Sequence, residues 1–351
     1  MALDELQGAG LIEKDRHGDV LWTWAYPAIT QNKRNLLMKK CCLKPDSDGL
    51  VTFVFGQFKR QWYYIYTTAV EESPVLSKVK HFSLVLLSRD YNPEKYETLC
   101  QILSKAYKES GNPATLLESY LAVLTKGSCP SEDNGTFAVK EYDVRKAYVA
   151  SPIKDVINLF GVETILIYTA LLLKKRIAVY HSKIEELLQF TRALPTLVWH
   201  RQNWSILYPN VHLDDPEEAE DCQSNVSYIL GSLDPTIETR SDLYDLFVNV
   251  PNQEIMVATH AKEALGMGKV HKEIAQMMVQ SAENSGKTDQ QVIKEIAVKT
   301  KEVINSLKSL AIPNEDGKPK ITLEVIKEQQ KSAIMENFLF NLAAAEGLVQ
   351  F

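Results

Sequence analysis

Hydrophobic and polar positions divide the chain into two differently patterned halves. Gly10–Lys14 and Asp19–Tyr26 read as strands on either side of a polar turn, Asp15-Arg16-His17-Gly18, which predicts a β-hairpin. Asn32–Leu43 has helical spacing. Val51–Phe58 and Trp62–Thr68 are rich in aromatic and β-branched residues and predict a second hairpin turning at Lys59-Arg60-Gln61. Val79–Ser88 adds a further strand. Two helices follow, each opened by the same device, since Asn92-Pro93 and Asn112-Pro113 put an N-cap acceptor before a proline whose missing N–H costs nothing at the first helical position. Gly111 suits the end of the first of them. Strands first and helices afterwards predict an antiparallel sheet covered by helices.

Lys126–Tyr142 (KGSCPSEDNGTFAVKEY) is polar and rich in turn residues, and reads as a linker. Beyond it the pattern alternates. Ser151-Pro152 opens a short helix ended by Gly161, and Ile165–Leu173 is apolar on every face, the mark of a buried helix. Arg176–Tyr180 then reads as a buried strand, and Ser182 begins another helix running to about Leu197. Trp204–Leu207 predicts a strand, and Leu243–Val250 with Glu254–Ala258 a strand pair. Such alternation implies a sheet with helices on both faces. The last ninety or so residues are helical: Val270, Ile274, Met277 and Ser281 repeat at helical spacing, as do Ile293, Ile296, Ile304, Leu307 and Leu310, and Ile334, Phe338, Leu342 and Ala345. Glu283–Asp289 and Pro313–Lys320 fall between them as loops. The fold class is therefore mixed α/β (α+β), with divisions at 1–126, a linker over 127–142, an α/β region over 143–258 and a helical region over 259–351.

Bulk properties narrow the function. The 351 residues are 45% hydrophobic and 24% charged with a formal net charge of -6, which gives no general attraction to nucleic-acid phosphates. The basic clusters Lys39-Lys40, Lys59-Arg60 and Lys174-Lys175-Arg176 are short and read as solvated ends of elements. Five cysteines without a C-x-x-C pair argue against a disulfide framework or structural zinc, and the vicinal Cys41-Cys42 reads as two small hydrophobes. The acidic opening lacks an apolar core of signal-peptide type, and Ile165–Leu173 is about half a membrane span. The expectation is a cytosolic protein with reduced thiols and no direct membrane insertion, whose sequons at Asn134, Asn203 and Asn225 stay unmodified.

Candidate chemistry is sparse. Gly286-Lys287-Thr288 resembles the end of a P-loop, but Ser281 stands where its first glycine belongs, so it reads as a turn between helices. Gly266-Met267-Gly268 sits within a helical pattern and reads as a packing feature. The acidic run Leu213–Asp221 reads as a helix start with Pro216 in the first position. No G-x-S-x-G or H-E-x-x-H occurs. Catalytic residues, metal and cofactor are all expected to be absent.

Ile165–Trp204 (ILIYTALLLKKRIAVYHSKIEELLQFTRALPTLVWHRQNW) resembles the central signature of DENN domains: Leu172-Leu173, the charged pair and Arg176-Ile177, the strand Ala178–Tyr180, the turn at Ser182-Lys183, Pro195 and Trp199-His200. GLIEKDRHGDVLWTWAYP at Gly10–Pro27, VFGQFKRQWYY at Val54–Tyr64 and MENFLFNLAAAE at Met335–Glu346 extend the likeness over nearly the whole chain. The resemblance implies a longin-like N-terminal lobe, a central α/β lobe and a helical C-terminal part. It implies guanine-nucleotide exchange on a Rab-family small GTPase at late endosomes or in secretory traffic. It also implies association with the Commander endosomal-recycling assembly (its retriever and CCC subunits), where the chain would serve as a structural adaptor. Partner contact is assigned to His200, Arg201, Gln202 and Asn203, with Arg201→Glu expected to slow nucleotide release at nearly unchanged melting temperature. A GTPase-activating role would instead draw on Arg60.

Overall fold

The computed structural model describes residues 5–43, 50–131, 135–313 and 319–349. They form two compact units, Met1–Tyr148 and Val149–Phe351.

In the first unit β1 (Leu6–Asp15) and β2 (Val20–Tyr26) pair as the predicted hairpin, followed by α1 (Gln31–Lys40). The second hairpin is β3 (Phe53–Phe58) and β4 (Gln61–Ala69), and β5 (Val79–Ser88) lies between β1 and β4. The result is a five-stranded antiparallel sheet ordered β2-β1-β5-β4-β3. Its two faces follow from the period of two along each strand. Ile12, Tyr63, Ile65, Val85 and Leu87 bury one face against Leu37 of α1 and Cys41 just after it. Tyr64 and Phe82 stand on the other face, Tyr64 stacked on Tyr96 and Phe82 edge-on to Tyr107 of α2 (Pro93–Ser110). Gly56 is forced on this sheet: a Cβ there would lie 2.3 Å from the Tyr63 hydroxyl.

Asn92 and Asn112 cap α2 and α3 (Pro113–Lys126) by accepting from Lys95 N and Ala114 N, and Gly111 and Gly127 end them in the left-handed region. The described residues of the segment read as a linker carry secondary structure. β6 (Ser128–Ser131) and β7 (Gly135–Ala138) form a hairpin packed on α3, burying Cys129 and Phe137, before the short α4 (Val144–Val149). Its turn residues mark a hairpin, because glycine and serine serve tight turns as readily as flexible connections.

The second unit opens with α5 (Ile153–Phe160), Gly161 at a φ of 54°, and α6 (Thr164–Leu172). By length and composition alone Val144–Leu172 could cross a membrane, but it is broken at Ser151-Pro152 and Gly161, and α6 is buried on nearly all sides. α6 ends in a Schellman pattern without glycine. Lys174 takes the left-handed position at φ 52° and donates to Leu171 O, while Lys175 N reaches Ala170 O at 2.8 Å. The chain then runs through β8 (Ile177–Tyr180), α7 (Ile184–Ala193), β9 (Leu207–Tyr208), α8 (Pro216–Gln223), β10 (Ile229–Ser232), β11 (Leu246–Asn249) and β12 (Glu254–Val257). The sheet order is β12-β11-β8-β10-β9, parallel except for β12.

The four carboxy-terminal helices are α9 (Lys269–Glu283), α10 (Asp289–Lys308), the short α11 (Leu323–Glu328) and α12 (Ala333–Ala345), with β13 (Ile312–Pro313) and β14 (Pro319–Lys320) pairing before α11. They belong to the same compact unit as the parallel sheet: α9 packs on α5 and α6, and Tyr168 of α6 bonds Thr300 of α10 at 2.9 Å. Gly266–Gly268 lies outside any helix and leads into α9, with Gly268 at its N-cap donating to His271 Nδ1. The inward register of α9 runs through His271, Ile274, Ala275 and Met278, one position past the expected Met277.

His271 is fully buried against Phe338 of α12, and desolvation pushes its pKa down from 6.5 to about 4. A buried neutral histidine must take up a proton on unfolding, so its contribution is complete above pH 6.5 and drains as the pH falls toward about 4. Denaturant titrations over that window should show stability falling with acid by up to about 1.4 kcal/mol per pH unit in the wild type, and a shallower slope in His271→Gln.

Candidate functional site

The segment assigned to partner contact follows α7 and the 3-10 turn Leu194–Val198, and its four residues have unlike roles. Arg201 faces inward. Its guanidinium donates from Nη1 to Leu171 O and from Nη2 to Leu172 O, both at 2.7 Å, satisfying the last carbonyls of α6, and Nη2 also pairs with Glu346 at the end of α12. His200 Nε2 lies 3.3 Å from the same carboxylate. The hydrogen bond from His200, with the bond and charge of Arg201, outweighs burial and holds Glu346 at about 2. Arg201 is thus a clamp between two helix ends, and Arg201→Glu must alter stability as well as any surface property. That corrects the expected near-neutral melting temperature.

The clamp fixes what lies beside it. Gln202 is exposed at a φ of 43°, and Asn203 accepts from Ser205 N at 2.9 Å in an Asx turn. Trp204 then turns into the core, with its indole donating to Arg192 O at 3.2 Å. His200, Gln202 and Asn203 are therefore displayed on a turn anchored on both sides. The anchor at Glu346 is 145 positions away, which no local spacing reveals.

Other motifs resolve into structural chemistry. Thr288 and Gln291 form a capping box at the start of α10, and Lys287 pairs with Glu295 at 2.7 Å. In the acidic run Asp215 caps α8, and buried Glu218 reaches back to His212 N at 3.2 Å. Cys41, Cys100, Cys129 and Cys222 are buried, and desolvation pushes the Cys41 and Cys129 thiols up to about 12 and about 11, away from the thiolate a nucleophile needs. Among the described residues no cluster of three His, Cys, Asp or Glu is placed to hold a metal ion. Arg60 stands at the tip of the β3–β4 hairpin with a φ of 61°.

At the start of β8, Arg176 from the central signature donates from Nε and Nη2 to Asp245 and from Nη1 to Asp242 O, and His260 joins Asp245 at 2.9 Å. This network ties β8 to the entry of β11. The hydrogen bonds from Arg176 and His260 prevail over burial and keep the Asp245 pKa low. The Arg-Ile of the signature is therefore a strand clamp.

Two family descriptions match overlapping parts of the chain: "Stabilization of polarity axis" over residues 150–259 and "Transport protein Avl9" over residues 77–203. The fold fits a DENN-type protein, and full-length relatives show that the chain belongs to the DENN domain family. Its relatives include DENN domain-containing protein 10 of Danio rerio, 52% identical over 351 residues and the full length of both chains. The Homo sapiens protein of that name is 50% identical over 344 residues, covering 98% of this chain and 96% of its own. That of Dictyostelium discoideum is 40% identical, covering 96% of each.

Proposed function

We propose that this chain promotes guanine-nucleotide exchange on a Rab-family small GTPase, on late endosomes or in secretory traffic, and that the turn His200–Asn203 contributes to the contact. Membership of the DENN domain family over the full length supports a small-GTPase partner in general. A transport description matching residues 77–203 agrees with a role in membrane traffic. The observation that carries the site is the rigid display of His200, Gln202 and Asn203 beside the Arg201 clamp. A preorganised turn loses little conformational entropy on binding.

Exchange requires no nucleophile. A surface that binds the empty GTPase more tightly than the loaded one weakens nucleotide affinity by the same factor. Each tenfold gain in release rate needs about 1.4 kcal/mol of such differential binding. Fluorescent-GDP release across a Rab panel tests the reading: at least one Rab should lose nucleotide faster with the wild-type chain. Gln202→Glu should reduce that acceleration by roughly tenfold, since an unpaired charge in a contact costs on the order of 1–3 kcal/mol, and should leave the melting temperature in place. Acceleration unchanged by Gln202→Glu would remove the turn from the contact. No acceleration on any Rab, with stable capture of retriever or CCC subunits, would make the chain a structural adaptor of the Commander assembly.

A further inference from the structure

We propose that the first unit carries a second site, for a small anion bearing several phosphate groups of the inositol-phosphate class, at the end of the sheet where β3 turns into β4. A pocket of about 440 Å³ opens there, lined by Gln7, Lys33, Phe58, Lys59, Arg60, Gln61 and Arg89. Four of these side chains are cationic, and no carboxylate lines the pocket among the described residues. This concentration of positive charge sits in a chain whose net charge is -6.

Three separate segments deliver the four cations. Lys33 comes from the first turn of α1, Lys59 and Arg60 from the hairpin tip, and Arg89 from the residue after β5. Gln61 joins them underneath: it accepts from Lys33 Nζ at 2.6 Å and donates to Gln7. Phe58 supports Lys59 through a cation–π contact at 4.8 Å. Burial first, and then the charge of Lys59, lowers the Lys33 pKa, so the two ammonium groups feel one another across the pocket.

The backbone supplies the second, independent observation. Phe58 pairs with Gln61, so Lys59-Arg60 is a two-residue hairpin loop, and both residues have positive φ, 49° and 61°. Such loops favour Asn-Gly, because long side chains pay a steric penalty in the left-handed region. Here two long cations occupy both strained positions and face Lys33 and Arg89. Strain retained at a charged tip is the pattern of a binding site.

Arginine forks hold phosphate oxygens in pairs, lysines supply point charges, and the volume lies in the range of small-molecule sites. A free inositol phosphate and a phosphoinositide headgroup present the same groups. Titration calorimetry with inositol trisphosphate and with inorganic phosphate, and sedimentation with phosphatidylcholine vesicles with or without phosphatidylinositol bisphosphate, test the site.

The wild type should bind the trisphosphate more tightly than inorganic phosphate, and binding should weaken as salt rises. The double change Lys59→Asn, Arg60→Gly installs the residues this turn prefers. It should hold or raise the melting temperature while weakening trisphosphate binding by roughly tenfold or more. Co-sedimentation only with the phosphoinositide vesicles would make the membrane the source; soluble binding alone would make it the free anion. Binding to neither, or binding that survives the double change, overturns the proposal. No GTPase is present in these measurements, so the result is independent of the exchange reading.

Discussion

Arg201→Glu should destabilise the second unit by roughly 2–4 kcal/mol, between the cost of an unsatisfied buried polar group and that of a broken buried ion pair. In a unit of this size that lowers the unfolding midpoint by roughly 5–15 °C. The change deletes two donors to the terminal carbonyls of α6 and sets a second carboxylate against Glu346. Acid titration provides a sharper signature. The Glu346 pKa is depressed in the fold, so its contribution is complete above about 4.5 and is lost as the pH falls toward about 2. Arg201→Ala should make that acid limb shallower, since it removes one of the two bonds and one of the charges that lower the Glu346 carboxyl while leaving that of His200. A wild-type midpoint and an unchanged acid limb in these variants would show that the clamp contributes nothing.

In the first unit the largest loss is expected from Asp90→Ala. Lys95 is only 5% exposed and is held by Asp90 at 3.1 Å and by Glu5 at 2.9 Å, while Tyr96 donates to the other Asp90 oxygen. The Asp90 backbone carbonyl also receives the Tyr64 hydroxyl at 2.9 Å, which joins β4 to the start of α2. Removing the carboxylate leaves a buried ammonium with one partner at the rim and orphans a phenol. The cost is roughly 3–5 kcal/mol, as for other broken buried pairs. Lys95→Met in the Asp90→Ala background should recover much of the loss by removing the stranded charge. Urea unfolding of the single and double variants decides this, and a double variant no more stable than the single would refute it.

These two sites were unequally visible beforehand. Asn92-Pro93 announced the start of α2 by itself, because a cap needs only residues three apart. That Lys95, three residues on, would be buried and neutralised by Glu5 was not visible, since the pair spans 90 positions. Likewise Trp199-His200 and its neighbours could be singled out, but the sequence could not show that Arg201 turns inward while Gln202 remains outside. β10 illustrates the same limit. Ile229–Ser232 is four residues long with no alternation, yet it pairs with both β8 and β9. Short buried strands of a parallel sheet carry no period to read.

The hairpins, the capped starts of α2 and α3, the wholly buried α6 and the helical carboxy-terminal stretch were determined by sequence alone, because each depends on residues within a turn or two of one another. The resemblance to DENN domains was legible for the same reason, as contiguous runs. Tertiary structure alone decided the rest: that β6 and β7 pair within the segment read as a linker, that α9–α12 complete the core of the α/β unit, that Arg201 clamps α6 to α12, and that four cations from three segments meet at one end of a sheet. Those outcomes depend on groups brought together by long loops, and a linear pattern carries no record of which distant partner a side chain will find.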